Sequence, residues 1–296
     1  MTTIGITGAS GPLGRATTDF LLRAVDPRQL VLTTRSPQAL ADAAARGAEV
    51  RRADFADPRT LATAFAGVDR LLLISTDAIG ARLDQHRAAI AAAAGAGVRH
   101  IVYTAVPEPV PANPALVVAD HAGTEQALRE SGLRWTVLRN NLYAHMQVPV
   151  IEQALASGRL VTNGGAGATA YVTREDCAAA AAAALTQDGH EGKVYDITGP
   201  EALTAADLVT LAREIGSRGI GGREVGARNI ELVTVDDAAS VAGLRAAGLP
   251  DQVAQLVTSF GAATRGGFLA TVSPAVADLT GRTPTALADV VRAALK

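Results

Sequence analysis

The residues whose spacing points most directly to chemistry are three glycines close to the amino terminus. Gly8, Gly11 and Gly14 form the pattern GxxGxxG directly after the strand-like segment that ends in Ile6-Thr7. Such glycines allow a tight turn, a close approach of the backbone to a phosphate, and tight packing of the next helix on the sheet. Backbone N–H groups and the helix amino terminus then stabilise the phosphate charge. The motif therefore predicts a pyrophosphate loop made of Gly8, Ala9, Ser10, Gly11, Pro12 and Leu13; a purely structural turn is the alternative.

The end of the second predicted strand indicates which dinucleotide the loop binds. This strand ends in Thr33-Thr34-Arg35-Ser36, where an NAD site usually carries an acidic residue that accepts from the ribose hydroxyl. A guanidinium can instead pair with a 2′-phosphate and stack on adenine. Arg35 therefore predicts NADPH, unless it is only a solvated surface arginine.

Two further strand ends carry residues that could meet the same ligand. Asp54 and Phe55 follow the third strand and are expected at the adenine, although a core phenylalanine and a helix-capping aspartate explain them nearly as well. After the fourth strand, Ser75, Thr76 and Asp77 are expected to line the cofactor crevice, since ligands bind at the carboxyl ends of such strands.

The elements that must position these residues follow the rhythm of an α/β protein. Strands are predicted near residues 3–7, 30–35, 48–52, 70–75, 99–105 and 134–139. Helices are predicted near 12–24, 37–46, 58–66, 81–96 and 119–131. This alternation is typical of a Rossmann-type, doubly wound parallel sheet with strand order 3-2-1-4-5-6.

The rest of the chain is predicted to form a smaller lobe. Residues 1–140 would be the NADP-binding Rossmann domain, and 141–296 a substrate-binding lobe that sends one strand, near 193–198, back to the main sheet. Helices are expected near 203–216, 235–247 and 249–258. This lobe should form one wall of a cleft at the carboxyl ends of the strands.

Composition narrows the classes of partner. The 296-residue chain has a formal net charge of −2 and no basic cluster, so neither nucleic acid nor an anionic membrane surface is an expected partner. A single cysteine, Cys177, and a start without signal-peptide organisation favour the cytoplasm. No His, Cys or acidic group shows metal-ligand spacing, and no GxSxG elbow suggests a hydrolase.

Several segments together carry a family resemblance. They are Thr7-Gly8-Ala9-Ser10-Gly11-Pro12-Leu13-Gly14, Leu72-Leu73-Ile74-Ser75, Gln85-His86-Arg87, His121-Ala122-Gly123-Thr124-Glu125, Leu138-Arg139-Asn140-Asn141-Leu142-Tyr143 and Gly189-His190-Glu191-Gly192-Lys193-Val194-Tyr195. With them the chain resembles the NmrA-like, atypical short-chain dehydrogenase/reductase family, and within it the bacterial type 2 NAD(P)H:quinone oxidoreductases. Dye reductases look similar, so the motifs are less specific for the substrate.

The resemblance implies which residues hold the cofactor. The loop Gly8–Leu13, Arg35, Ser75–Asp77 and the segment Arg139–Ala144, including Asn140, would hold NADPH. Asn141 and Tyr143, which are candidate catalytic residues, would lie with Asn140 near the nicotinamide. Polar capping of the strand end is an equally weighted alternative for any one of the three.

The departures from the wider superfamily matter for the chemistry. Its typical members use a serine together with a Tyr and a Lys four residues apart on a helix; here that helix carries His121 and Glu125. Ala105 stands where the related quinone reductases carry a serine. Reduction of a ketone needs a proton donor for the developing alkoxide, whereas a quinone becomes an aromatic hydroquinone and a cationic dye is neutralised.

The sequence therefore predicts a reductase of quinone-like electrophiles, acting as a monomer or homodimer. His121 is the one plausible proton donor, oriented by Glu125; the alternative is that both only pack the helix and position the cofactor. Two other functions remain open: an NADP(H)-sensing regulator without catalysis, and a biosynthetic reductase of one specific metabolite.

Overall fold

A parallel sheet of seven strands forms the centre of the molecule in a computed structural model that describes residues 1–218 and 229–296. Its strands are β1 (Ile4–Ile6), β2 (Leu30–Thr34), β3 (Glu49–Arg52), β4 (Arg70–Leu73), β5 (His100–Ala105), β6 (Arg134–Asn140) and β9 (Lys193–Ile197). They lie in the order β3-β2-β1-β4-β5-β6-β9, and every pairing is parallel. The predicted doubly wound order is confirmed, and so is the returning strand beside β6.

Helices cover both faces of this sheet. The helices of the described residues, those on the sheet and those outside it, are α1 (Pro12–Ala24), α2 (Ala41–Ala45), α3 (Leu61–Phe65), α4 (Arg82–Gly95), α5 (Val118–Glu130), α6 (Val148–Ser157), α7 (Arg174–Thr186), α8 (Ala205–Arg218), α9 (Asp237–Ala246), α10 (Asp251–Arg265), α11 (Ala275–Thr280) and α12 (Leu287–Ala294). One face packs on α1, α7 and α11, the other on α3, α4 and α5. A strand covered on both sides must be apolar throughout, as the fully buried Leu71-Leu72-Leu73 run of β4 is.

Helix α7 explains how the second half of the chain completes the first. Its residues Asp176–Leu185 are all buried, and seven of them in succession, 178–184, are alanines. Side chains this small let the helix lie close against both α1 and the sheet. The domain boundary near residue 140 stays a prediction. Beyond that position, β9 is a strand of the central sheet and α7 packs against one of its faces.

A smaller set of elements packs beside the carboxyl ends of the strands. Helices α6, α8 and α12 share a second core, and two short two-stranded sheets pair β7 (Arg159–Thr162) with β11 (Glu231–Thr234) and β8 (Ala168–Thr169) with β10 (Leu203–Thr204). Within the described residues, no helix is long and apolar enough to cross a membrane.

Two predicted helices are shorter than their sequence patterns suggest. Residues 37–46 form a 3₁₀ turn (Pro37–Leu40) followed by α2, and residues 58–66 form a 3₁₀ turn (Pro58–Thr60) followed by α3. In both cases a proline occupies the first position, which starts the turn with a fixed φ but removes a donor. The helix predicted over 249–258 is longer, since α10 continues to Arg265.

Candidate active site at the carboxyl ends of the strands

The glycine-rich loop joins β1 to α1 and has the shape of a phosphate cradle. Gly8 adopts φ +58°, a left-handed conformation that favours glycine. The N–H of Gly11 donates to Gly8 O at 2.9 Å and closes the turn. A Cβ on Gly14 would overlap the Gly8 carbonyl oxygen and would lie 2.6 Å from Cα of Ala9. The loop therefore fits the pyrophosphate group that its sequence predicts.

The loop is anchored to the end of β2, where Arg35 follows. Ala9 N donates to Thr33 O at 3.0 Å, and the hydroxyls of Ser10 and Thr34 are 2.7 Å apart. The side chain of Arg35 is exposed at this edge. The structure thus brings together the loop and the cation that the sequence assigns to a 2′-phosphate.

An apolar cavity of about 340 Å³ opens beside this loop. Its wall comes from the loop, the ends of β4, β5 and β6, and the carboxyl-terminal lobe, and consists of Leu13, Ile74, Ser75, Thr76, Asp77, Thr104, Ala105, Val106, Pro107, Asn113, Ala115, Asn140, Asn141, Leu142, Tyr143, Met146, Phe260 and Leu269. Of the described residues that form this wall, Asp77 is the only charged one. We call this cavity the cleft.

Hydrogen bonds to its backbone hold the segment after β4 against the sheet. Ile74 N donates to Thr7 Oγ1 at 2.9 Å, and Ser75 N donates to Thr104 Oγ1 at 3.0 Å. Residues 74 and 75 lie beyond the last strand pairing of β4, so their N–H groups donate to side-chain hydroxyls where strand carbonyls would otherwise accept. As a result Ser75, Thr76 and Asp77 all reach the cleft, as predicted from their position.

Two buried polar atoms in the cleft wall have no partner among the described residues. They are Oγ1 of Thr76 and Oδ1 of Asn140. Leaving such atoms unpaired costs about 1–3 kcal/mol each, so they fit best as contacts for a polar ligand.

Tyr143 brings a phenol to the same cleft. Burial raises the pKa of Tyr143 well above its ordinary value, so at neutral pH the group is protonated and can donate a hydrogen bond. The guanidinium of Arg174 lies 5.3 Å from the centre of its ring, a cation–π contact on the protein side.

Asn141 lines the cleft but is engaged in structural contacts. Its Nδ2 donates to Leu269 O at 3.0 Å, and its Oδ1 accepts from Leu142 N at 2.8 Å. The side chain therefore ties the end of β6 to the carboxyl-terminal lobe. This geometry favours a positioning role over the predicted catalytic one.

His121 and Glu125 lie outside the described wall of the cleft. His121 is 3% exposed, and its Nδ1 lies 2.7 Å from the hydroxyl of Tyr103. Burial lowers the pKa of His121 to about 3, so the ring is neutral at physiological pH. Glu125 is 2% exposed and accepts from Arg129 and Arg139. The contacts speak against a proton-donating pair and favour the packing alternative.

The contacts of Arg139 also differ from those expected for a cofactor-binding residue. Its Nε and Nη2 donate to the two carboxylate oxygens of Glu125, both at 2.9 Å. Because residues alternate along a strand, Arg139 lies on the opposite side from Asn140, which does reach the cleft. The guanidinium is thus held in a partly buried ion pair, away from the cleft.

Asp54 and Phe55 sit at the end of β3, outside the described cleft wall. The Phe55 ring packs edge-on against His86, with the centroids 6.3 Å apart, and Asp54 Oδ1 accepts from Ala56 N. Phe55 thus packs at the edge of the core, as its alternative expects, whereas Asp54 forms a turn and does not cap a helix. An adenine contact stays a prediction for both residues.

Sequence reasoning missed much of the outer wall. Phe260 and Leu269 come from the carboxyl-terminal lobe, and Val106, Pro107 and Asn113 from a proline-rich segment after β5. The four prolines at positions 107, 109, 111 and 114 are a visible sign of a rigid irregular segment. No local pattern marks Phe260, since its place depends on how α10 packs.

Comparison with known proteins agrees with this geometry. Quinone oxidoreductase 2 of Escherichia coli (strain K12) is 36% identical over 288 residues, which cover 97% of each chain. The crystal structure of this NADPH-dependent enzyme in complex with NADPH matches with a TM-score of 0.91 and 34% identity, over 99% of this chain and 100% of the other.

Two further relatives match over almost the whole chain. The Citrobacter sp. triphenylmethane reductase, solved with NADP(H), matches with a TM-score of 0.88 and 31% identity over 99% of this chain and 100% of the other. An NmrA-like family domain-containing oxidoreductase of Aspergillus flavus is 28% identical, over 97% of this chain and 93% of the other. The resemblance drawn from the sequence motifs is confirmed.

A family model with the description NAD(P)H-binding matches residues 8–188, from the first glycine of the phosphate loop to two residues past the end of α7. With the cradle at Gly8–Leu13 and an apolar cleft beside it, the chain belongs to the NAD(P)H-binding family.

Proposed function

We propose that this protein is an NADPH-dependent reductase that transfers a hydride to a quinone or a similar electrophile. The observation that carries the proposal is the direct junction of the phosphate cradle with an apolar cleft, since Leu13 belongs to both. The similarity to a quinone oxidoreductase and to a triphenylmethane reductase supports the same class of acceptor.

Each part of NADPH would have its own group of residues. The backbone of Gly8–Leu13 would hold the pyrophosphate, Arg35 the 2′-phosphate, and Asp54 with Phe55 the adenine side. Ser75–Asp77 and Asn140 would hold the nicotinamide end, where the unpartnered Thr76 Oγ1 and Asn140 Oδ1 lie. When bound, NADPH supplies the hydride chemistry.

The residues around a bound quinone would keep water away from it. The acid that they offer is the phenol of Tyr143, which is a weak one. Leu142, Met146, Phe260 and Leu269 form an apolar wall, which favours a flat hydrophobic acceptor and holds it in place. The protonated phenol of Tyr143 can donate a hydrogen bond to an acceptor oxygen. No lysine lines the described wall to lower the pKa of this phenol.

Charge narrows the class of acceptor further. The described wall contains one carboxylate, Asp77, and no cation. An anionic acceptor would lose its hydration without gaining a partner, so neutral and cationic acceptors are favoured. A quinone suits such a site because its reduced form is an aromatic hydroquinone that needs little stabilisation from the protein.

The test is NADPH oxidation, followed at roughly 340 nm, with benzoquinones, naphthoquinones, a cationic dye, a sulfonated anionic quinone and a simple ketone. We expect turnover of the neutral quinones and the dye, weaker turnover of the anionic quinone, and none of the ketone. Ketone reduction at a comparable rate would contradict the proposed chemistry. Tight binding of NADPH without turnover of any acceptor would favour the non-catalytic, NADP(H)-sensing alternative.

A further inference from the structure

A chain of hydrogen bonds runs from the cleft wall into the interior between α4 and α5. Thr76 N donates to Nε2 of His86 at 3.1 Å, and Nδ1 of His86 lies 3.0 Å from Oγ1 of Thr124. Thr124 Oγ1 in turn donates to Asp120 O at 2.7 Å. His86 is completely buried, so no water competes for these bonds.

The direction of every bond in this chain is determined. A backbone amide can only donate, so Nε2 of His86 must be an unprotonated acceptor. The ring proton is therefore on Nδ1 and is donated to Thr124 Oγ1, which agrees with Thr124 using its own proton on a carbonyl. His86 is held as the neutral Nδ1–H tautomer.

Arg82 holds the other polar group of the same peptide segment. Its Nε donates to Thr76 O at 2.6 Å, and its Nη1 lies 3.6 Å from a carboxylate oxygen of Asp120. Arg82 is 6% exposed. Both backbone polar groups of Thr76 are thus bound by α4, and its hydroxyl remains without a partner in the cleft wall.

We propose that His86 and Arg82 are positioning residues that fix the backbone of Thr76 so that its hydroxyl contacts the nicotinamide end of bound NADPH. The inference rests on the proposed function, because it names NADPH as the ligand of the hydroxyl. Neither His86 nor Arg82 lines the cleft; both act through Thr76.

The chain offers a matched pair of substitutions at position 86. The amide of glutamine can place an acceptor near the position of Nε2, whereas the shorter asparagine reaches only the position of Nδ1. We expect the Kd for NADPH to stay within about threefold of wild type in His86→Gln and to rise about tenfold in His86→Asn, the size of one lost hydrogen bond. Equal losses in both variants, or none in either, would overturn the proposal.

A double-mutant cycle shows whether His86 acts through the Thr76 hydroxyl. Thr76→Val should raise the Kd about tenfold, and His86→Asn combined with Thr76→Val should raise it no further, because the second change removes a contact that is already lost. A loss of about a hundredfold in the double variant would mean independent effects and would contradict the proposal.

The tautomer can be measured without any ligand. The ¹⁵N shifts of His86 in the intact protein should show protonation at Nδ1; protonation at Nε2 would overturn the arrangement. The measurement separates the proposed function from the positioning role of His86. If the wild-type protein has the expected tautomer but fails to bind NADPH, the proposed function and the ligand role of Thr76 are refuted. The wrong tautomer with normal NADPH turnover would refute only the positioning role.

Discussion

Among single residues, the proposed chemistry depends on which side chains reach the cleft and which are held elsewhere. Thr76, Asn140 and Tyr143 reach it with polar groups available for a ligand. His121 and Glu125 have the i, i+4 spacing of a catalytic pair but form buried contacts of their own. Spacing on a helix determines which residues share a face, and packing decides what that face meets.

Arg35 is the residue that should decide between the two nicotinamide cofactors. In Arg35→Asp the carboxylate would repel the 2′-phosphate of NADPH and could accept from the ribose hydroxyl of NADH. We expect the Kd for NADPH to rise at least about tenfold, with little change for NADH. The control is Arg46→Asp, another exposed arginine just after α2. Equal losses for both cofactors would remove Arg35 from the phosphate site.

Tyr143 should matter for turnover more than for cofactor binding. Tyr143→Phe keeps the ring but removes the donor, so kcat with a quinone should fall about tenfold while the Kd for NADPH stays unchanged. Tyr195→Phe is the control, since that phenol bonds to Nδ1 of His190 outside the described cleft wall. An unchanged kcat in Tyr143→Phe would leave the phenol without a role.

At the scale of elements, the turn between β1 and α1 is the feature that the sequence described best. Gly8, Gly11 and Gly14 have short-range geometric requirements, so their spacing alone predicts the turn, the start of α1 at Pro12 and the strand before it. The apolar runs of the sequence predicted the strands equally well. The position of Phe260 in the cleft wall and the hydrogen bond between His121 and Tyr103 depend on contacts between different elements of the chain. No local sequence pattern predicts such contacts.

The approach of α1 to the loop gives a prediction with an internal control. Gly14→Ala would push a Cβ into backbone atoms of Gly8 and Ala9, and we expect a loss of about 1–3 kcal/mol in the free energy of unfolding together with weaker NADPH binding. Gly95→Ala, at the end of α4, would place its Cβ more than 4 Å from any atom beyond its chain neighbours and its own helix backbone, and should be neutral or stabilise by up to about 1 kcal/mol. Denaturant unfolding measures both, and an unaffected Gly14→Ala variant would contradict the close packing.

At the scale of the whole molecule, the three most deeply buried histidines, His86, His100 and His121, link stability to pH. Burial is the main cause that lowers the pKa of His86 and of His121 to about 3 and that of His100 to about 4. Between these values and an unfolded pKa near 6.5 the unfolded chain binds more protons than the folded one, so acid favours unfolding. The histidines cost no stability above about pH 6.5, and the loss begins as the pH falls below that value.

The expected result is a decrease in the free energy of unfolding of up to about 1.4 kcal/mol per pH unit for each such histidine. Urea unfolding between pH 7.5 and 5 measures the slope. His100→Gln, which removes one titrating group, should flatten it by about that amount. A slope that is the same in this variant would show that His100 is not buried in its neutral form.

Hydride transfer is tested most directly by anaerobic oxidation of NADPH with a small neutral naphthoquinone, followed by product analysis. We expect one hydroquinone for each NADPH consumed, and we expect NADPH that carries deuterium at the transferred position of C4 to react about two- to sixfold more slowly in a single turnover. NADPH that binds but is never oxidised by this or any related acceptor would contradict hydride transfer as the function of the cleft.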